Sequence, residues 1–124
     1  MASANSSEHY SWGDGCDGWL LLRTADLSVI EERMPPGTLE ARHFHSRARQ
    51  FFFVLDGELT IEVEGQEFLL RVGEGLEVSP GEAHQVFNRS TRPVRMIVTS
   101  QPPSHGDRIN AEPPTPDHPG PDRS

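Results

Sequence analysis

Residues 37–57 read GTLEARHFHSRARQFFFVLDG, and residues 73–88 read GEGLEVSPGEAHQVFN. In the first stretch one residue separates His43 from His45, and positions i and i+2 of a strand face the same side. In the second, Pro80-Gly81 marks a turn and His84 begins the strand after it. Three neutral imidazoles converging from two strands make an open-sided site for a divalent metal. An H-x-H pair alone is as readily a polar pair on a wet face, so the flanking residues decide.

Their spacing is regular. Gly37 is followed by five residues, then His43-Phe44-His45, four residues, Gln50, six residues and Gly57. After a 15-residue spacer come Gly73, seven residues, Gly81, two residues, His84, three residues and Asn88. At this chain's His and Gly frequencies, chance would set three His and four Gly in place with odds on the order of 10⁻⁸ per placement. The arrangement resembles the two motifs of the cupin superfamily, G-x5-H-x-H-x3-4-E-x6-G and G-x5-P-x-G-x2-H-x3-N. It leaves the first 20 and last 24 residues uncovered. The resemblance implies a small jelly-roll β-barrel with a divalent ion (Fe, Ni, Mn, Cu or Zn) on His43, His45 and His84. Two positions depart from the pattern: Gln50 stands for the usual Glu, and Ser79 for the first Pro, with Pro80 one place later. Pro80-Gly81 keeps the turn. The Gln change is chemical, because four neutral ligand groups leave the ion its full +2 charge. Gln50 is therefore expected to be a weak ligand or to sit beside the ion without ligating it.

Working outward, the apolar pattern has period two. Leu59, Ile61 and Val63 alternate with Glu58, Thr60 and Glu62; Phe68, Leu70 and Val72 repeat the scheme, as do Val94, Met96 and Val98. Turn signals at Pro35-Pro36-Gly37, Asp56-Gly57, Glu64-Gly65, Gly73-Glu74-Gly75 and Asn88-Arg89 separate the runs. No stretch carries a 3.6-residue apolar stripe. The pattern predicts an all-β, single-domain jelly-roll β-barrel of about eight to ten strands, spanning residues 10–100. Residues 1–9 are expected to be flexible. Residues 101–124 are Pro-rich and expected to be mostly disordered, although 101–110 can lie back as a strap through Ile109.

Strand parity places Gln50, Phe52 and Val54 on one face and Phe51, Phe53 and Leu55 on the other. With Gln50 turned inward, Phe52, Val54, Val86, Asn88 and Met96 are the expected substrate pocket. The outer Phe51/Phe53/Leu55 face is an expected homodimer surface. Glu40, three residues before His43, is expected on the opposite face, leaving no carboxylate beside the His pair. Arg47 and Arg49 read as turn residues or as guides for an anion. Tyr10, Trp12 and Trp19 read as anchors of the N-terminal segment, and Cys16 as an ordinary thiol.

Composition narrows the partners. The 124 residues carry 19 acids and 11 bases, a net charge of −8, with no basic stripe for phosphates, so nucleic acid is not expected. There is no Lys, which excludes lysine Schiff-base chemistry. One Cys excludes an internal disulfide. The longest apolar run, Phe51–Leu55, is too short for a membrane span, and the N-terminus lacks a signal-peptide pattern; a cytoplasmic protein is expected. The functional expectation is a metal-dependent, dioxygenase-like enzyme acting on a small anionic molecule. The alternatives are a non-enzymatic small-molecule binder or sensor, and a metal-free sugar isomerase or epimerase.

Overall fold

The structure is a computed structural model that describes residues 1–113. From residue 114 onward, the expected disordered tail lies outside the described residues. In chain order the strands are β1 (Glu8–Trp12), β2 (Cys16–Arg23), β3 (Ser28–Met34), β4 (His43–His45), β5 (Arg49–Asp56), β6 (Leu59–Val63), β7 (Gln66–Leu70), β8 (Gly75–Val78), β9 (His84–Phe87), β10 (Val94–Gln101) and β11 (Arg108–Asn110). All pairings are antiparallel. One sheet has the order β1-β2-β3-β10-β5-β8 and the other β11-β4-β9-β6-β7. This is the expected all-β jelly roll. Its strands reach beyond the 10–100 window at both ends, because β1 begins at Glu8 and β11 pairs with β4.

Alternation fills the space between the sheets. Val54, Leu59, Ile61, Val86, Val94 and Met96 are at most 1% exposed and form the core with Met34, Val78 and Cys16. Cys16, read as an ordinary thiol, is a fully buried core residue. Core packing accounts for a correction: Val54, Val86 and Met96 fill the closed end of the barrel and do not line the ligand cavity. Asn88 is not a pocket residue either. Its Nδ2 donates to the carbonyls of Met34 and Arg92 (3.0 and 2.7 Å), and its Oδ1 accepts from Ser90. Parity assigns a face; it carries no information on depth.

Two further differences have local causes. Thr60 and Glu62, expected wet, are 9% and 4% exposed. Arg42 covers Glu62, with its Nε and Nη2 on the two carboxylate oxygens at 2.8 and 2.9 Å. Val72 lies past the end of β7 and is 60% exposed. The Asp56-Gly57 turn requires glycine: Gly57 has φ +85°, and a Cβ there would meet the Pro93 carbonyl oxygen at 2.5 Å.

The segment after β10 folds back over the open end of the barrel. Asp107 anchors it, accepting hydrogen bonds from the Ser46 hydroxyl (2.6 Å) and the Arg47 and Ala48 amides (both 2.9 Å). Those donors hold its carboxyl down at about 2. Ile109 does lie in this strap, but it is 45% exposed, so the anchor is polar. Among the described residues no helix is long and apolar enough to cross a membrane.

Candidate metal centre

β4 places His43 and His45 on its inner face, 3% and 5% exposed. β9 brings His84, 1% exposed, directly opposite His43; this is the one residue pair that joins the two strands. The ring centroids are 4.9 Å apart for His43–His45, 4.4 Å for His43–His84 and 5.8 Å for His45–His84. One ring nitrogen from each lies within 4.8 Å of the other two.

Each ring's orientation follows from backbone chemistry. His43 Nδ1 is 2.8 Å from the Ala41 carbonyl, and His84 Nδ1 is 3.1 Å from that of Glu82. A carbonyl only accepts, so both Nδ1 atoms carry the proton and both Nε2 lone pairs are bare. His84 Nε2 is buried with no hydrogen-bond partner. Burial pushes the His43 imidazole down to about 3 and that of His84 to about 4, and it lowers His45 as well. Gln50 enters from the other sheet, on β5, 6% exposed. Its Nε2 donates to Ser100 Oγ at 3.1 Å, leaving Oε1 buried without a partner. Three neutral imidazoles and one bare carboxamide oxygen are a donor set that fits a divalent ion. Proton competition for it then begins well below the pH of about 6.5 expected for free imidazole.

The His pair and Gln50 open on a cavity of about 560 Å³. Of the predicted pocket residues, Phe52 alone lines it. The sequence reading missed the rest of its polar wall. Glu40 and Glu32 both face this cavity, as does Tyr10. Glu40 was expected on the far face, but residues 40–42 lie outside any strand, so parity does not carry back to them. Glu40 Oε1 lies 3.9 Å from His43 Nδ1 and has no hydrogen-bond partner. Burial raises the carboxyls of Glu40 to about 8 and Glu32 to about 7. Tyr10 and Trp12, read as anchors, line the cavity too, whereas Trp19 packs on His9 at 5.4 Å outside it. Arg47 is 73% exposed beside Asp107, and Arg49 pairs with Glu77, so neither lines the cavity.

The chain belongs to the cupin family: a cupin-domain model matches residues 30–100. Among curated relatives, the tetracenomycin polyketide synthase protein TcmJ of Streptomyces glaucescens is 30% identical over 69 residues, 56% of this chain and 46% of that protein. The chain spans about half the length of this relative and of the similar polyketide synthase CurC. Two solved structures share the fold. The polyketide cyclase RemF of Streptomyces resistomycificus has a TM-score of 0.79 at 15% identity, over 90% of this chain and 84% of that one. A double-stranded β-helix protein of Klebsiella pneumoniae has a TM-score of 0.76 at 23% identity, over 91% and 97%.

The raised carboxyls and lowered imidazoles act on stability in opposite directions. The His contribution is present above 6.5 and is lost as pH falls toward 4 and 3. The Glu contribution is present below 4.5 and is lost as pH rises through 7 and 8. Metal-free protein is therefore expected to be most stable near mildly acidic pH. Glu40→Gln removes one alkaline-side loss, so its gain in melting temperature over wild type should be larger at pH 8 than at pH 5. Equal gains at both, by calorimetry, would contradict the burial-raised carboxyl.

Proposed function

We propose that this cupin is a metal-dependent enzyme of dioxygenase type, with the ion on His43, His45 and His84 and a small oxygen-donor molecule in the cavity. The observation that carries this reading is the buried trio of neutral imidazoles, two of which, His43 and His45, line the cavity. A redox-active divalent ion held there supplies Lewis acidity and an electron route to dioxygen. The chain's own groups do the rest. Ala41 and Glu82 orient the His43 and His84 rings, Ser100 holds Gln50 Nε2 so that Oε1 stays free, and the strap held by Asp107 limits water at the mouth. With no ligand charge to offset +2, the site favours a donor that coordinates as an anion, such as an enolate, phenolate or carboxylate. The names of TcmJ and RemF support small-molecule chemistry on this fold.

A second reading, a metal-free acid–base isomerase, gains one specific observation: Glu40 and Glu32 supply the cavity carboxylates that such chemistry needs. Turnover under air that stops on chelation and returns with metal supports the first reading; turnover indifferent to chelation supports the second. His43→Ala, His45→Ala and His84→Ala should each reduce bound metal from about one per chain to a small fraction. Gln50→Ala should change it little, and Gln50→Glu should tighten binding by about tenfold, as a carboxylate lowers the site charge to +1. Elemental analysis and competition titration check this. Negligible metal in the wild type that Gln50→Glu fails to raise would overturn it.

We further propose that the outer face of β5 and β10 buries against a second copy of the chain. Phe51 is 45% exposed there, stacked on Phe53 at 6.4 Å, beside Leu55 and Ile97. Phe53→Glu should halve the mass seen by light scattering while leaving the fold intact; an unchanged mass in a folded variant would rule out this face as the interface.

A further inference from the structure

Three consecutive rows of side chains floor the cavity, and they differ in chemistry. The first row, across β3, β10 and β5, is Ser28, Ser100 and Gln50. Two residues along each strand lies Leu20, Ile30, Val98 and Phe52, an uninterrupted apolar row across β2, β3, β10 and β5. All seven face the cavity. Two residues further, the register sets Tyr10 beside Gly18 and Gly18 beside Glu32. Here the side chains skip a strand. A Cβ at Gly18 would sit 2.2 Å from Tyr10 Cζ and 2.5 Å from its hydroxyl, so glycine leaves the space the Tyr10 ring occupies. The ring crosses β2, and its hydroxyl donates to Glu32 Oε2 at 3.3 Å.

We propose that the Tyr10–Glu32 pair is a second recognition point in this cavity, reading a hydroxyl at the far end of a ligand whose middle is a flat apolar ring system. This deepens the metal-centre reading and rests on it, since the near end of the ligand is the oxygen head held beside His43, His45 and Gln50. Four strand residues separate Ser28 from Glu32, about 13 Å at ~3.3 Å per residue, with the apolar row between. That spacing suits a two-headed molecule; a small dianion such as oxalate reaches only one end. A saturated sugar would lay hydroxyls on the apolar row, leaving them without partners. Beside the histidines the polar groups are unsatisfied, since Gln50, 6% exposed, has a bare Oε1 and Glu40 Oε1 is bare as well, whereas Tyr10 and Glu32 hold one another. The titratable and charged groups around Glu32 are Tyr10 on β1, Glu40 before β4 and Arg108 on β11. The Tyr10 hydroxyl and the Glu32 carboxyl together offer a ligand hydroxyl both a donor and acceptors.

Zinc-loaded protein, which cannot oxidise the probes, tests the inference by calorimetric titration with biphenyl-3,4-diol, biphenyl-3,4,4′-triol, oxalate and glucose, with zinc content measured on each sample. The triol should bind wild type about tenfold more tightly than the diol, and glucose should not bind. Tyr10→Phe and Glu32→Gln should each erase the difference between triol and diol while leaving zinc content and diol affinity unchanged. Equal affinity of the two biphenyls in wild type, a difference that survives in both variants, or glucose binding in their place would overturn the inference while the metal reading stands. A sample that takes up no zinc overturns both.

Discussion

Two hydrogen bonds govern the centre of this molecule: His43 Nδ1 to the Ala41 carbonyl and His84 Nδ1 to that of Glu82. Each ring is tied to the backbone two residues before it. The tie sets the tautomer, and it leaves the Nε2 lone pair bare, in His84 fully buried. Without it a neutral buried imidazole would be free to turn or to exchange its proton between nitrogens. The same burial that makes an unpaired polar nitrogen costly also keeps the rings neutral, far below their ordinary titration range. A ligand site for a cation thus arises from groups that carry no charge of their own.

The jelly roll supplies the remaining geometry. β4 and β9 pair through His43–His84 alone, so the imidazoles meet where that sheet has its shortest ladder. The long six-stranded sheet faces them, and between the register shifts at Leu20/Leu22 and Arg95/Met96 its pairing aligns Ser28, Ser100 and Gln50 in one row and Leu20, Ile30, Val98 and Phe52 in the next. One end of the space between the sheets is filled by Met34, Val54, Met96 and their neighbours; the other stays open under a strap fastened by Asp107. Core packing and an accessible cavity coexist because they occupy opposite ends of the same two sheets.

Much of this is legible in the residues. The H-x-H pair, His84 after Pro80-Gly81, and the alternation at Val94, Met96 and Val98 each mark a strand and the direction of its side chains. What escapes notice does so for physical reasons. Glu40 reaches the cavity because the chain before β4 is irregular, where a two-residue period has no meaning. Val54, Val86 and Met96 face inward as expected, yet depth along the barrel decides that they pack and do not bind. Asn88 looks like a cavity group but serves the backbone of two other segments. The Tyr10–Glu32 contact spans three strands and depends on the register of β1 against β2, which no local pattern encodes. Only the unusual pairing of an aromatic residue with Gly18 across those strands hints at it.

The claim on which the account turns is that three imidazoles from β4 and β9 ligate a single ion. X-ray absorption at the zinc edge of the zinc-loaded protein tests it most directly. The account predicts one zinc per chain with three imidazole nitrogens at about 2.0–2.1 Å and oxygen donors completing the shell. A spectrum with fewer than three imidazoles, or with sulfur among the ligands, would contradict it.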